Sequence, residues 1–192
     1  MGKPVNWKRV LQQRIVARLE DVPQDGRLQI AFVGASNVGK STLLGALMQQ
    51  PRLVRTSKRP GCTRQLVFYE IDARFWICDL PGYGYAAVSH EERRRWQRLI
   101  EGYLLRHRPY VVVLLDARHA PKATDRQMIA WLQAQRLSWM PVATKADKLS
   151  QREQAKRPKE LEQALGTAPL FVSATRGLGM DRLRQALASL AL

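Results

Sequence analysis

Gly34-Ala35-Ser36-Asn37-Val38-Gly39-Lys40-Ser41 decides how the rest of this chain is read. The stretch matches the pattern Gly, four residues, Gly-Lys and Ser or Thr, and its flanks supply the context that such a loop requires. Leu28, Ile30, Phe32 and Val33 form a short apolar run before it, and Ser41-Thr42-Leu43-Leu44 leads into an Ala/Leu-rich helical segment after it. In a strand–loop–helix turn of this kind the glycines let backbone N–H groups converge on phosphate oxygens at a helix N-terminus. Lys40 can then reach the β- and γ-phosphates, and the Ser41 hydroxyl can hold Mg²⁺. Residues 34 to 41 therefore predict a nucleoside triphosphate site.

Three further segments extend that site. Asp79-Leu80-Pro81-Gly82 ends an apolar run, where an acidic residue can join the Mg²⁺ shell through water and the Gly82 N–H can sense a γ-phosphate. Asp-x-x-Gly alone is ordinary turn chemistry; its value lies in following the phosphate loop by one hairpin. Arg55 to Arg64 is a polar segment centred on Pro60-Gly61, and Gly61, Cys62, Thr63, Arg64 and Gln65 would border the nucleotide. Thr63 is the natural second Mg²⁺ ligand, on a loop that closes only when metal and γ-phosphate are present. Thr144-Lys145-Ala146-Asp147 follows the run Trp139 to Ala143 and brings base specificity. The Asp147 carboxylate can accept hydrogen bonds from guanine N1–H and the 2-amino group while the Lys145 stem packs on the purine. Adenine lacks that donor pair and would leave a buried carboxylate unpaired. Val172-Ser173-Ala174 then supplies the Ala174 N–H as donor to guanine O6.

Alternating strands and helices surround these motifs. Leu66 to Ile71 and Arg74 to Asp79 read as a hairpin through Asp72-Ala73, which places an antiparallel strand at a sheet edge. Ser89 and Glu92 have capping-box spacing before the stripe Trp96, Leu99, Ile100, Tyr103 and Leu104. Tyr110 to Leu115 reads as a strand, Lys122 to Gln135 as a helix, and Trp139 to Thr144 as a strand. Ser150 to Leu165 reads as a helix that Pro158 must kink or divide. Leu170 to Ser173 is the last strand, before a helix faced by Met180, Leu183, Leu187 and Leu190. The expected fold is α/β, with a mostly parallel six-stranded sheet, one antiparallel edge strand and helices on both faces. Trp7, Val10, Leu11, Ile15, Val16 and Leu19 predict an amphipathic helix, so residues 1–26 are expected as an N-terminal helical extension and 27–192 as the nucleotide-binding domain.

The composition narrows the setting. With 45% hydrophobic residues in 192, the chain can bury a sizeable core as one domain. No apolar stretch approaches the roughly 20 residues that span a bilayer, and the N-terminus lacks a signal-peptide core, so a soluble cytoplasmic monomer is expected. Cys62 and Cys78 have neither zinc nor disulfide-framework spacing, and Cys78 reads as a buried thiol. His90, His107 and His119 show no metal spacing. The 32 Lys and Arg against 16 Asp and Glu give a formal charge of +16, which points to a polyanionic partner.

In this order the motifs look like a translation-factor-related GTPase, and several resemble one family closely. Gly34 to Ser41 with Ser-Asn-Val inside the loop, Thr56-Ser57 with Pro60-Gly61-Cys62-Thr63, Asp79-Leu80-Pro81-Gly82-Tyr83-Gly84-Tyr85-Ala86, Asp116-Ala117-Arg118-His119 and Thr144-Lys145-Ala146-Asp147 are similar to the bacterial EngB family, also called YsxC or YihA. Thr144 in place of the commoner Asn is typical of that family, whereas Ala35 and Cys62 stand where many members carry Arg. The resemblance implies a P-loop GTPase that assembles the large ribosomal subunit, contacting its rRNA and proteins, with links to cell division and septation. Tyr83 follows Asp-x-x-Gly where Ras-like enzymes carry the water-orienting Gln. Asn37 offers another route through a bound K⁺, or is a loop residue that merely tolerates the turn; Lys40, Asn37, Thr63 and Gly82 are the candidate catalytic groups. An ATP-using P-loop kinase shares the first loop but gives Thr144 to Asp147 no role. An RNA-binding scaffold with a degenerate site, or a division GTPase acting on a protein partner, remains an alternative reading of the same residues.

Overall fold

The computed structural model describes residues 4–56, 65–83 and 90–191. The apolar run before the phosphate loop is a strand buried on both faces, here β2 (Leu28–Gly34). Its side chains alternate: Ala31 and Val33 enter one core, Ile30 and Phe32 the other. Around it lie β1 (Val10–Val16), β3 (Leu66–Ile71), β4 (Phe75–Asp79), β5 (Tyr110–Asp116), β6 (Trp139–Thr144) and β7 (Leu170–Phe171), in the order β1-β3-β4-β2-β5-β6-β7. β2 pairs in parallel with both β4 and β5, and β5–β6–β7 continue in parallel. β3 alone runs against the others, antiparallel to β4 and β1.

Helices cover both faces. On one side α3 (His90–His107), α4 (Ala123–Ala134) and α5 (Gln151–Leu165) bury Tyr103, Leu104, Ile129, Leu132, Leu161 and Leu165. On the other, α1 (Lys40–Leu47), α2 (Pro51–Thr56) and α6 (Met180–Ser189) bury Leu43, Leu47, Val54, Leu183 and Leu187. Each fully buried aliphatic or aromatic side chain contributes about 1.5–3 kcal/mol, so the two cores together hold the three layers. The chain leaves β2 toward β3 and β4 on one side and reaches β5 to β7 on the other. A crevice therefore opens beyond the carboxyl end of β2, where ligands bind in such sheets.

The hairpin is as expected: Asp72 and Ala73 both have positive φ, 51° and 56°, and the Arg74 N–H donates to Ile71 O at 2.9 Å. Its β3 is not the edge, however, because the helix expected over Trp7 to Leu19 is strand β1, and the sheet has seven strands rather than six. Without β1, the outer N–H and C=O groups of β3 would lack a ladder. Val10, Ile15 and Val16 are β-branched and suit the pleat. The turn anchors the strand, since Asp72 accepts from the Asn6 N–H at 3.0 Å and the Asp72 N–H donates to Arg9 O at 2.8 Å. A β-bulge lies between Val10 and Gln12. Beyond it Arg14 lies over the Trp76 ring, 5.3 Å from its centroid.

Two smaller differences follow. Pro158 sits inside a single 15-residue α5, which it does not divide. Pro158 and Gln154, whose carbonyl loses its partner, are both exposed, so water can satisfy that group. The last strand is only two residues long. Ser89 and the side chains of Glu92 and Trp96 lie outside the described residues.

Strand and helix make opposite demands on Ile15 and Val16. On a helix both would lie on the inner face; on β1, Val16 is 1% exposed and Ile15 50%. Val16→Ser should destabilise by about 2–4 kcal/mol and Ile15→Ser by less than about 0.5 kcal/mol, read as shifts of the urea midpoint. Equal losses at the two positions would contradict the strand.

Candidate functional site

The phosphate loop is bent by two left-handed residues, Asn37 at φ 65° and Gly39 at φ 99°. Gly39 caps α1, so the helix N-terminus points into the crevice. The turn is tight: a Cβ on Gly34 would lie 2.9 Å from Val38 Cγ1 and 3.1 Å from Leu114 O. Lys40, the first helical residue, is buried and ion-paired with Asp79 at the end of β4. Both lie where the motifs placed them, and the half-buried Ser41 follows on the next position of α1.

From Asp79 the chain runs along the phosphate loop. The Leu80 N–H donates to Phe32 O at 3.2 Å, and Pro81 and Gly82 carry it to Tyr83, which bridges Ala35. The Tyr83 N–H donates to Gly34 O at 3.3 Å, and the Ser36 N–H donates to Tyr83 O at 2.9 Å. The Ser36 hydroxyl also donates to Tyr83 O, at 3.1 Å. A Cβ on Gly82 would lie in van der Waals contact with Gly34 O and Ser36 N, at 3.4 Å from each, which shows how closely this segment runs beside the loop. The Tyr83 side chain turns away, its hydroxyl donating to Asp125 Oδ1 at 2.8 Å, while Asp125 Oδ2 accepts the Lys122 N–H at 2.9 Å at the start of α4. Burial and the neighbouring Asp125 carboxylate raise the phenol far above its ordinary range.

The base-side motif closes on the loop from β6. Thr144 Oγ1 lies 2.6 Å from Val38 O and 3.0 Å from Leu115 O, joining the phosphate loop, β5 and β6. Lys145, at φ 59°, stretches its stem past Gly39, where an added Cβ would lie 3.7 Å from Lys145 Cε. Its ammonium donates to Asn37 O at 2.7 Å and to Asp116 Oδ2 at 2.9 Å. Burial alone would raise the Asp116 carboxyl, but hydrogen bonds from Arg118 and Lys145 hold it well below the usual carboxylate range. The Ala146 N–H donates to Val172 O at 3.1 Å, bringing the loop after β7 beside Asp147. The Ser173 hydroxyl, with lesser help from Lys148, keeps the Asp147 carboxyl below its ordinary value. Ala174 is half-buried next to it.

The structure thus brings together Gly34 to Ser41, Asp79 to Gly82, Thr144 to Asp147 and Val172 to Ala174. Gln65 is half-buried just before β3. Gly61, Cys62, Thr63 and Arg64, with Gly84 to Ala86, lie outside the described residues. Two contributors were not singled out from sequence: Asp125 and the clamp on Asp116. The only signal for Asp125 is its position three residues after the start of a helix, that of an ordinary capping carboxylate. A cavity of about 230 Å³, walled by Ser36, Asn37, Asp116, His119 and Asp125, lies beside the phosphate loop.

The chain is similar to known proteins over most of its length. A family model described as "50S ribosome-binding GTPase" matches residues 29–145. A probable GTP-binding protein EngB of Desulfovibrio desulfuricans is 42% identical over 173 residues, covering 88% of this chain and 86% of the relative. Another, from Mannheimia succiniciproducens, is 39% identical over 187 residues, covering 93% and 91%. Among solved structures, a probable GTP-binding protein engB superposes with a TM-score of 0.70 at 24% identity over 85% of this chain and 98% of that one. The FeoB G-domain from Methanococcus jannaschii follows the same fold, with a TM-score of 0.56 at 24% identity over 84% and 96%. The chain belongs to the EngB family of GTP-binding proteins.

Proposed function

We propose that this protein is a Mg²⁺-dependent GTPase that works as a switch on the large ribosomal subunit during its assembly. The convergence of the phosphate loop, Asp79 to Tyr83 and Lys145 to Asp147 at the carboxyl end of β2 carries the reading. No helix among the described residues is long and apolar enough to cross a membrane. We take the protein to act in the cytoplasm as a soluble monomer.

The site suits Mg²⁺ with GTP or GDP. Its donors are hard oxygens, the Ser41 hydroxyl and Asp79 carboxylate, beside the cationic Lys40. With Thr63 they would hold Mg²⁺, which when bound neutralises charge on the phosphate oxygens. Lys40 is held toward the loop by Asp79 and would exchange that partner for the outer phosphates, which would leave the carboxylate to help hold Mg²⁺. The phosphate loop would present the backbone N–H groups other than those of Ser36 and Val38, which are engaged within the protein; Lys145 covers the purine, Asp147 reads the guanine edge, and Ala174 N–H meets O6. Gly61 to Gln65 would close over the nucleotide. Hydrolysis is slow because the residue after Gly82 is Tyr83, whose hydroxyl is committed to Asp125 and cannot orient the attacking water. The exposed Asn37 side chain, with no hydrogen-bond partner among the described residues, is the group available to a K⁺ that stabilises transition-state charge.

The partner reading rests on the family description, 50S ribosome binding, together with the formal +16 charge. Charge alone attracts rRNA in any nucleotide state. Discrimination requires the Asp79–Tyr83 tail and the loop bearing Thr63 to rearrange when a γ-phosphate arrives.

Asp147→Asn should weaken GTP binding at least about 100-fold and favour xanthine nucleotides, measured by competition against a fluorescent nucleotide. Wild-type affinities for ATP and GTP within about tenfold would refute the guanine reading. Hydrolysis in KCl should exceed that in NaCl at matched ionic strength, with the difference abolished in Asn37→Ala; equal rates would remove K⁺. In pelleting with purified large subunits, a non-hydrolysable GTP analogue should tighten binding over GDP by about 1–3 kcal/mol. The affinity should also fall steeply with salt. Salt-sensitive binding that ignores the nucleotide would leave a basic protein adhering to RNA and no switch.

A further inference from the structure

The geometry points to Asp116 as a positioning residue for nucleotide binding, acting through Lys145 with Arg118 as its support; this rests on the GTP-site reading above. The β5–β6 ladder pairs Asp116 with Thr144, the last residue of β6, so Lys145 is the first residue beyond that strand, and the Ala117 N–H donates to Thr144 O at 2.9 Å. Two strands therefore fix the carboxylate beside the lysine independently of any ligand. The Lys145 ammonium has two acceptors, Asp116 Oδ2 and Asn37 O, one on β5 and one in the phosphate loop. Its stem is consequently a taut strut between the base-recognition loop and the phosphate loop, anchored at the far end.

Asp116 is itself held. Arg118 donates Nε to Oδ1 at 2.9 Å, a terminal guanidinium nitrogen to Oδ2 at 2.7 Å and its backbone N–H to Oδ1 at 3.1 Å. With Lys145 the carboxylate accepts four hydrogen bonds, and its side chain is only 14% exposed. A carboxylate so satisfied stays ionised and fixed in orientation. It holds the ammonium where Asn37 O also accepts it, and so fixes the stem that would cover the purine. The clamp touches neither phosphate nor reacting atoms. It should therefore act equally on GDP, GTP and the transition state, changing KM and Kd but not kcat.

The test uses the full chain and N-methylanthraniloyl-GDP. Asp116→Ala should raise its Kd about 10- to 100-fold, equivalent to about 1.4–2.8 kcal/mol at 1.4 kcal/mol per decade. Asp116→Asn, which keeps the shape and one acceptor, should fall between Ala and wild type. KM for GTP should rise in parallel while kcat stays within about twofold. The preference for guanosine over inosine diphosphate should be unchanged, because Asp147 reads the 2-amino group. The deciding arm is the double-mutant cycle with Lys145→Met, which keeps the stem and removes the ammonium. In that background Asp116→Ala should cost less than about twofold. The same loss in both backgrounds would make Asp116 a fold residue and overturn the inference, as would unchanged Kd in Asp116→Ala. Failure of the wild type to prefer the guanine over the adenine probe would instead sink the GTP reading itself.

Discussion

A phosphate loop can aim its N–H groups at an anion only if its carbonyl groups are engaged elsewhere, and the organisation of this protein follows from that constraint. Gly34 O accepts from the Tyr83 N–H, Ala35 O from Val38, and Gly39 O from Leu43 in the first turn of α1. The two remaining engaged carbonyls look outward to a different strand: Asn37 O takes the Lys145 ammonium, and Val38 O lies against the Thr144 hydroxyl. Thr144 and Lys145 thus shape the phosphate loop, besides the part proposed for their segment in reading the base. This gives a physical reason for the two motifs to sit at the ends of β2 and β6, with β5 as the spacer whose Asp116 completes the contact.

On its other side the loop is joined to the segment Asp79 to Tyr83. Tyr83 lies at the junction: its backbone extends β4 against Gly34 to Ser36, and its phenol reaches α4 through Asp125. The Ser36 N–H is committed to Tyr83 O in this state, so any γ-phosphate-driven movement of Gly82 must disturb the same ladder. The tyrosine that stands where Ras-like enzymes carry glutamine therefore joins the phosphate loop to α4 by direct contacts.

What could be read from sequence and what could not divides along sequence distance. β2, β4, β5 and β6 were legible because strands buried on both faces are written as continuous apolar runs, and the motifs mark their carboxyl ends. β1 was not, because Val10, Leu11, Ile15 and Val16 fit a helical period as well as a strand, and the choice is made by the open edge of β3 more than fifty residues later. Leu11 is left 47% exposed on that edge, as a helix face would not have left it. The second role of Thr144 rests on a contact spanning 106 residues and the Tyr83–Asp125 pair on one spanning 42. Local pattern carries no trace of either.

The formal charge of +16 is a balance over the whole chain, and several of the arginines behind it are used inside the fold. Arg184 donates to the carbonyls of Ala46 and Leu47, neutralising the C-terminal end of α1, and Arg108 does the same for Gln135 and Arg136 after α4. Arg27 bridges Asp25 and Glu70 while lying over Trp76, and Arg118 is spent on Asp116. Counterion release scales with phosphates actually neutralised rather than with net charge. A polyanionic partner would therefore be bound by the exposed cations it can reach together, so the local arrangement of charge at the surface, rather than the net charge, would set its affinity.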